Sequence, residues 1–233
     1  MRVIAVDGPA ASGKSSTAQA VARRLGWGHL DSGALYRAIT LATLDNIGDG
    51  AGGRGTGEEW SPQRILALAE DLPVRLVLVQ DVFRPEVAGV GVDEAIRSER
   101  VTRRVSEVAA IPEVRRWVNA RQREAARDHP VGVVVDGRDI GTVVFPDAPL
   151  KIFLTAGPEE RARRRLAQRG ERTSPDELRR EADALAARDR ADSSRPVAPL
   201  KPAADALLLD TTALSLDEQV ARVVALARER FPG

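Results

Sequence analysis

The chain has 233 residues, 43% of them hydrophobic and 30% charged, a composition that fits one compact α/β protein with one or two small insertions. A formal net charge of +1 argues against a nucleic-acid or membrane footprint spread over the surface, and the absence of cysteine excludes disulfides, thiolate metal sites and thiol nucleophiles. No apolar run is long enough for a signal peptide or a membrane span, so we expect a soluble, cytoplasmic protein with no nucleic-acid or membrane partner.

A phosphate-binding motif lies near the start of the chain. The apolar run 3–6 predicts a buried strand, and the apolar spacing over 15–25 predicts a helix. Between them, GPAASGKS at 8–15 matches G-x-x-x-x-G-K-[ST] in the strand-loop-helix context that this motif requires; the alternative is a chance glycine-rich turn. Lys14 can reach the β- and γ-phosphates and the Ser15 hydroxyl can bind Mg²⁺. The residues predicted to bind a nucleoside triphosphate are Gly8, Pro9, Ala10, Ala11, Ser12, Gly13, Lys14, Ser15 and Ser16.

A second short strand is expected at His29-Leu30, followed by a helix that Asp31 caps. After this helix, six glycines fall between Gly48 and Gly57, which predicts a flexible linker or mobile loop.

We interpret residues 60–97 as an insertion. Ser61-Pro62 can start a helix that runs through Glu70. The β-branched runs at 74–79 and 87–92 predict a small antiparallel sheet.

Two further helices are predicted at about 98–110 and 113–128, separated at Pro112. Ser106 and Arg115 are polar residues on these helices. From spacing alone they would be solvated surface positions.

The remainder of the chain alternates strands and helices. A buried strand at 131–135 leads into Asp136-Gly137-Arg138-Asp139, and the carboxyl end of a strand is where ligands bind in open α/β sheets. Further strands are predicted at 150–154 and 206–209, with helices at about 158–168, 175–191 and 216–230. This alternation predicts a parallel sheet.

Two helical segments are rich in arginine. Arg161 and Arg165 are four residues apart, and the segment could be either a solvated basic face or an anion site. Arg188, Asp192 and Arg195 share one side of a later helix, either as a surface salt-bridge ladder or as a site for a ribose phosphate. With the phosphate loop and a mobile insertion, these segments predict phosphoryl transfer between two bound phosphates.

Together these motifs resemble the bacterial cytidylate kinases, which are P-loop nucleoside monophosphate kinases, over essentially the whole chain. The stretches that carry the resemblance are GPAASGKSS at 8–16, LDSGALYR at 30–37, DGRDIGTVVFPDA at 136–148, and 188–195 with VAPL at 197–200. Many families share the first stretch, whereas the second and third are specific to this one.

The resemblance implies a P-loop three-layer α/β fold with a five-stranded parallel sheet. It implies a core domain at 1–31 and 130–233, which carries a short lid at about 161–174. A monophosphate-binding domain at 32–129 would hold the insertion and its small antiparallel sheet.

The resemblance also implies that a monomer transfers a phosphoryl group from ATP to CMP or dCMP with Mg²⁺, in pyrimidine nucleotide metabolism. The implied catalytic residues are Lys14, Arg138, Arg161 and Arg165. Those near the acceptor phosphate would be Ser32, Tyr36, Arg37 and Arg138. Those reading the cytosine edge would be Ser106, Arg115 and Asp139, and those engaging the sugar and phosphates Arg188, Asp192 and Arg195.

Two rival functions are a GTPase-like switch and a kinase for another acceptor such as AMP, UMP or a sugar. The switch would need an Asn-Lys-x-Asp guanine-reading motif, and the sequence contains no Asn-Lys pair.

Overall fold

The computed structural model describes residues 1–48, 60–171 and 173–232. The glycine-rich run, apart from Gly48, and Arg172 of the expected lid lie outside these residues. The chain divides into two compact units, which we call the P-loop unit (Met1–His29 with Val131–Gly233) and the inserted unit (Leu30–Pro130).

The described residues form eight strands and eight α-helices. The strands are β1 (Val3–Asp7), β2 (Gly28–Asp31), β3 (Arg75–Val79), β4 (Val82–Val87), β5 (Val90–Gly91), β6 (Val133–Gly137), β7 (Leu150–Thr155) and β8 (Leu207–Asp210). The helices are α1 (Lys14–Leu25), α2 (Ser32–Asn46), α3 (Pro62–Asp71), α4 (Glu99–Val108), α5 (Pro112–Asp128), α6 (Pro158–Arg169), α7 (Pro175–Ser193) and α8 (Leu216–Arg230). Short 3₁₀ and π-helical turns are at Ala95–Arg97 and Ile140–Val144.

The P-loop unit is built on parallel strands in the order β6-β1-β7-β8, and β2, which begins in this unit, lies next to β6. Every residue of β1 and β6 is buried, which explains why residues 3–6 and 133–135 are continuous apolar runs rather than alternating ones. The expectation of an α/β fold with a mostly parallel sheet is confirmed. The register pairs Val6 with Asp136 and Asp7 with Gly137, so the carboxyl ends of β1 and β6 lie side by side.

Local capping chemistry sets where several helices begin. The Ser174 and Ser215 side chains accept from the backbone N–H groups of Glu177 and Glu218, and both glutamates bond back, so α7 and α8 each begin with a capping box. None of the helices in the described ranges combines the length and the apolar character needed to cross a membrane.

The core of the inserted unit surrounds α2, whose Leu35 and Ile39 pack with Ile65, Val101 and Val114 of the neighbouring helices. Strands β3, β4 and β5 form an antiparallel meander.

The position of the second strand of this meander differs from the prediction. It runs over Val82–Val87 rather than 87–92, and within the predicted segment only Val87, the last residue of β4, and Val90–Gly91 are in strands. The cause is an early turn at Gln80 and Asp81, both of which have positive φ angles. Neither is a glycine, so the sequence carries little signal for this turn.

Candidate active site

The phosphate loop runs from the end of β1 to the start of α1. At Gly8, a Cβ atom would lie 2.3 Å from the Leu154 carbonyl oxygen, so no other residue fits at the undistorted backbone. The loop ends at the amino terminus of α1, and the backbone N–H groups and dipole of a helix amino terminus favour an anion. Lys14 is buried and its Nζ donates to the Pro9 carbonyl oxygen at 3.1 Å, so this side chain lies across the loop.

The residue after Lys14 contacts a carboxylate at the end of the neighbouring strand. Ser15 Oγ donates to Asp136 Oδ2 at 2.5 Å, and His29 Nε2 lies 2.8 Å from Asp136 Oδ1. Burial opposes ionisation of Asp136, but the hydrogen bonds with His29 and Ser15 and the charge of Lys14 hold its pKa below the ordinary value. A hydroxyl oxygen beside an ionised carboxylate fits Mg²⁺, which prefers oxygen ligands.

Asp136 was not among the predicted metal ligands. Its position at the end of a buried strand was visible in the sequence, but its contact with Ser15 depends on the register between β1 and β6.

A second buried carboxylate, Asp7, precedes the loop. Its two oxygens accept from the backbone N–H groups of Ile140 and Gly141, each at 2.8 Å. The pKa of Asp7 is raised to about 6. Burial is the largest cause and the charge of Asp139 adds to it, whereas the two backbone hydrogen bonds and the charge of Lys14 lower the pKa. Asp7 thereby anchors the turn that follows Arg138 and Asp139, and Asp139 itself is buried.

The structure brings together three of the residues predicted to bind the acceptor nucleotide. Asp192 of α7 is 2% exposed; its Oδ2 accepts from Arg138 Nε at 3.0 Å and its Oδ1 from Arg195 Nη2 at 2.5 Å. These are buried or half-buried pairs, so the surface-ladder alternative does not describe them. Two guanidinium groups on one carboxylate leave a net positive charge. Arg188 lies one helical turn earlier on α7.

The two predicted lid arginines have different surroundings. Arg161 is buried; its Nη1 donates to the Ala10 carbonyl oxygen at 3.1 Å and pairs with Asp189 of α7. Arg165 is half-buried and donates to Gln168 on the exposed side of α6.

A third arginine of α6, Arg164, was not predicted to be part of the site but contacts the phosphate loop. It donates to the Ser12 carbonyl oxygen at 3.2 Å and to the Thr211 carbonyl oxygen at 2.6 Å. The Thr211 hydroxyl also contacts the Ser12 carbonyl, at 3.0 Å. The sequence did not indicate this role because Arg164 lies in a run of consecutive arginines, and a helical run alone does not show which member faces the loop.

In the inserted unit, two residues predicted to bind the acceptor nucleotide lie together. Arg115 is 4% exposed, so the alternative of a solvated surface position is wrong for this residue. Its guanidinium lies 5.5 Å from the centre of the Tyr36 ring, and its Nη1 donates to the Ala109 carbonyl oxygen at 3.0 Å. Tyr36 Oη lies 3.4 Å from Asn119 Oδ1.

The other predicted residues of this unit lie on α2 and α4. Arg37 Nη1 donates to the Ile96 carbonyl oxygen at 3.1 Å and to Thr102 Oγ1 at 3.0 Å. Ser32 is buried at the start of α2, and Ser106 is half-buried on α4.

A phosphate loop lies between the first strand and helix of a mostly parallel sheet, Lys14 lies across this loop, and Ser15 contacts a carboxylate at the end of a strand. These features define a P-loop nucleotide-binding protein. A family model described as cytidylate kinase matches residues 4–229. The chain belongs to the cytidylate kinase family, and it is therefore a kinase of nucleoside monophosphates.

Curated relatives agree with this assignment. The cytidylate kinase of Pectobacterium atrosepticum is 44% identical over 227 residues, covering 97% of this chain and 96% of its own length. That of Stutzerimonas stutzeri is 46% identical over 230 residues, covering 98% and 96%. That of Desulfitobacterium hafniense is 47% identical over 234 residues, covering 97% and 93%. Membership of this kinase family implies the use of ATP, typically with Mg²⁺.

Proposed function

We propose that the protein transfers the γ-phosphoryl group of ATP to CMP or dCMP, giving CDP or dCDP and ADP. The observation that carries the proposal is on α7. Within about one turn of this helix, Asp189 contacts loop residue Ala10, and Asp192 pairs with Arg138 and Arg195. The same helix thus contacts the phosphate loop through Asp189 and, through Asp192, binds a positively charged cluster suited to a second phosphate.

On the donor side, the backbone amides of residues 8–16 and the Lys14 ammonium would hold the phosphates of ATP. Ser15 and Asp136 would hold Mg²⁺. When bound, Mg²⁺ offsets negative charge on the β- and γ-phosphate oxygens. Lys14 is buried and already lies across the loop, so its side chain has few conformations to lose when it contacts a phosphate.

On the acceptor side, the attacking oxygen belongs to a phosphate and is anionic near neutral pH, so no strong general base is needed. Arg138 would bind this phosphate, with Ser32, Tyr36 and Arg37 as further contacts. Asp192 holds Arg138 and Arg195 in place by accepting from both. Arg188, Asp192 and Arg195 would engage the sugar and phosphates, and Arg161 and Arg165 would offset charge in the transition state.

For the base, we propose that Asp139 accepts a hydrogen bond from the cytosine amino group and that Arg115 and Ser106 contact the ring acceptors. Ionised Asp139 can only accept, so it opposes the carbonyl oxygen that uracil carries at the same position. Burial of Asp139 strengthens this discrimination, because water cannot relieve the mismatch. We also propose that the protein is a cytoplasmic monomer.

The test is a coupled ADP-release assay with CMP, dCMP, UMP and AMP, applied to the wild type and to Asp139→Asn. We expect kcat/KM for CMP to exceed that for UMP by about ten- to several hundredfold. The asparagine amide can present a donor or an acceptor, so the substitution is expected to lower activity on CMP and to narrow the ratio. Asp147→Asn, an exposed carboxylate in the same segment, is the matched control and should leave the ratio unchanged. An unchanged ratio in the Asp139 variant would show that the base is read elsewhere.

A further inference from the structure

Both backbone polar groups of one phosphate-loop residue are held by a single ion pair. The Ala10 N–H donates to Asp189 Oδ1 at 3.1 Å, and the Ala10 carbonyl oxygen accepts from Arg161 Nη1 at 3.1 Å. Arg161 Nη1 also pairs with the other carboxylate oxygen, Asp189 Oδ2. The guanidinium and the carboxylate come from α6 and α7, so the loop is fastened to two helices at one point.

This part of the loop needs such a fastening. The next residue, Ala11, has a φ angle of 57°, a conformation that is unfavourable for a residue with a Cβ atom. Such a conformation persists only where the surroundings over-determine it. The pair at Ala10 supplies this constraint one residue before the strained position.

The contacts also decide where Arg161 points. Its side chain is 9% exposed, and among the described residues its hydrogen-bond partners are Asp189 and the Ala10 carbonyl; its buried Nε has none. Without the carboxylate, the guanidinium would keep one contact and a buried charge without a counterion. Such a group is expected to move, and with it the loop carbonyl that it contacts.

We propose that Asp189 is a positioning residue for the phosphate loop, which acts through Ala10 and Arg161 to preset the loop for the triphosphate. The inference rests on the proposed function only in taking ATP as the triphosphate. Asp192, about one turn further along α7, is instead assigned to the acceptor side, so neighbouring carboxylates of one helix serve different ligands.

The test measures ATP affinity by titration calorimetry without any acceptor, for the wild type and for Asp189→Asn. Asparagine keeps the size of the side chain and can still accept from the Ala10 N–H, but it removes the charge that holds Arg161. We expect ATP to bind at least about tenfold more weakly, the loss typical of a charge-assisted hydrogen bond. The matched control is Asp183→Asn, an exposed carboxylate on the same helix, which should bind ATP as the wild type does.

Two further readouts separate positioning from a merely structural role. In the coupled assay, the KM for ATP should rise in Asp189→Asn while the KM for CMP stays within about twofold of wild type, with a similar Tm. In a double-mutant cycle with Arg161→Gln, the combined loss of ATP affinity should be clearly smaller than the product of the single losses, because both substitutions break one unit.

Unchanged ATP affinity in Asp189→Asn, independent effects in the cycle, or an equal rise in both KM values would each overturn the proposal. Should Asp189→Asn not fold, Asp189→Glu tests the same pair with its charge kept. The longer side chain cannot hold both the Ala10 N–H and Arg161 in the present geometry, so weakened ATP binding would support the proposal and unchanged binding would refute it. If the wild type binds ATP but does not phosphorylate CMP, the proposed function fails, and the calorimetric result still decides the role of Asp189.

Discussion

Replacing Gly8 with alanine should disable the phosphate loop through a contact that the structure defines. The added Cβ atom would lie 2.3 Å from the Leu154 carbonyl oxygen and 2.9 Å from Ser12 Oγ. Leu154 belongs to β7, which pairs with β1, so its backbone cannot yield without disturbing the sheet. An ordinary carbon-oxygen contact is about 3.3 Å or longer, and the loop must therefore move by roughly 1 Å.

Overpacking of this kind typically costs about 1–3 kcal/mol of stability, and misplacement of binding groups by about 1 Å can cost on the order of 100-fold in function. We therefore expect Gly8→Ala to lose about 1–3 kcal/mol in chemical denaturation and about 100-fold in kcat/KM for ATP.

The matched control is Gly26→Ala. Gly26 ends α1 with a φ angle of 67°, and a Cβ atom there would meet nothing within 4 Å. It should lose about 1–2 kcal/mol through backbone strain alone and keep wild-type kinetics with ATP. Wild-type kcat/KM in Gly8→Ala would refute the reasoning, since the loop would then have absorbed the clash without moving its binding groups.

Two other substitutions test the charged groups beside the loop. Lys14→Ala should keep the fold and lower kcat by orders of magnitude, because among the described residues no other amine lies at the loop. The control is Lys201→Ala, which replaces an exposed lysine, and kcat and Tm are measured for both variants. Near-normal turnover in Lys14→Ala would contradict the assignment of Lys14 to the phosphates. Asp7→Asn should change the pH dependence of unfolding. Burial raises the pKa of Asp7 to about 6 from an ordinary value of 3.8, so the folded protein holds this proton more tightly than the unfolded chain. The stability that this proton binding contributes is fully present below about pH 4 and is lost as the pH rises through 6, a change of ~3 kcal/mol. Between pH 4 and pH 7 the wild type should therefore lose about this amount of unfolding free energy relative to the variant. A difference between the two proteins that stays constant with pH would show that Asp7 does not titrate in this range.

The parts of the site that the sequence predicted well are contiguous in the chain. The strand-loop-helix order around residues 8–15 and the two capping boxes depend on neighbours within a few residues, and the structure shows both. The alternation of strands and helices likewise predicted the parallel sheet. The turn before Val82 was missed because it contains no glycine and Gln80 is not typical of positive φ angles.

The sequence by itself determined the loop and the order of the elements, because short-range hydrogen bonding and apolar periodicity specify these. The class of enzyme was implied by the resemblance of four stretches, at 8–16, 30–37, 136–148 and 188–200, to a known family. Only the tertiary structure decided which charged groups meet. Ser15 and Asp136 are 121 positions apart, and Ala10 and Asp189 are 179 apart. The first contact depends on strand register and the second on the packing of α7 beside the loop. Arginines and carboxylates are frequent in this chain, so their pairing is set by three-dimensional position rather than by residue type.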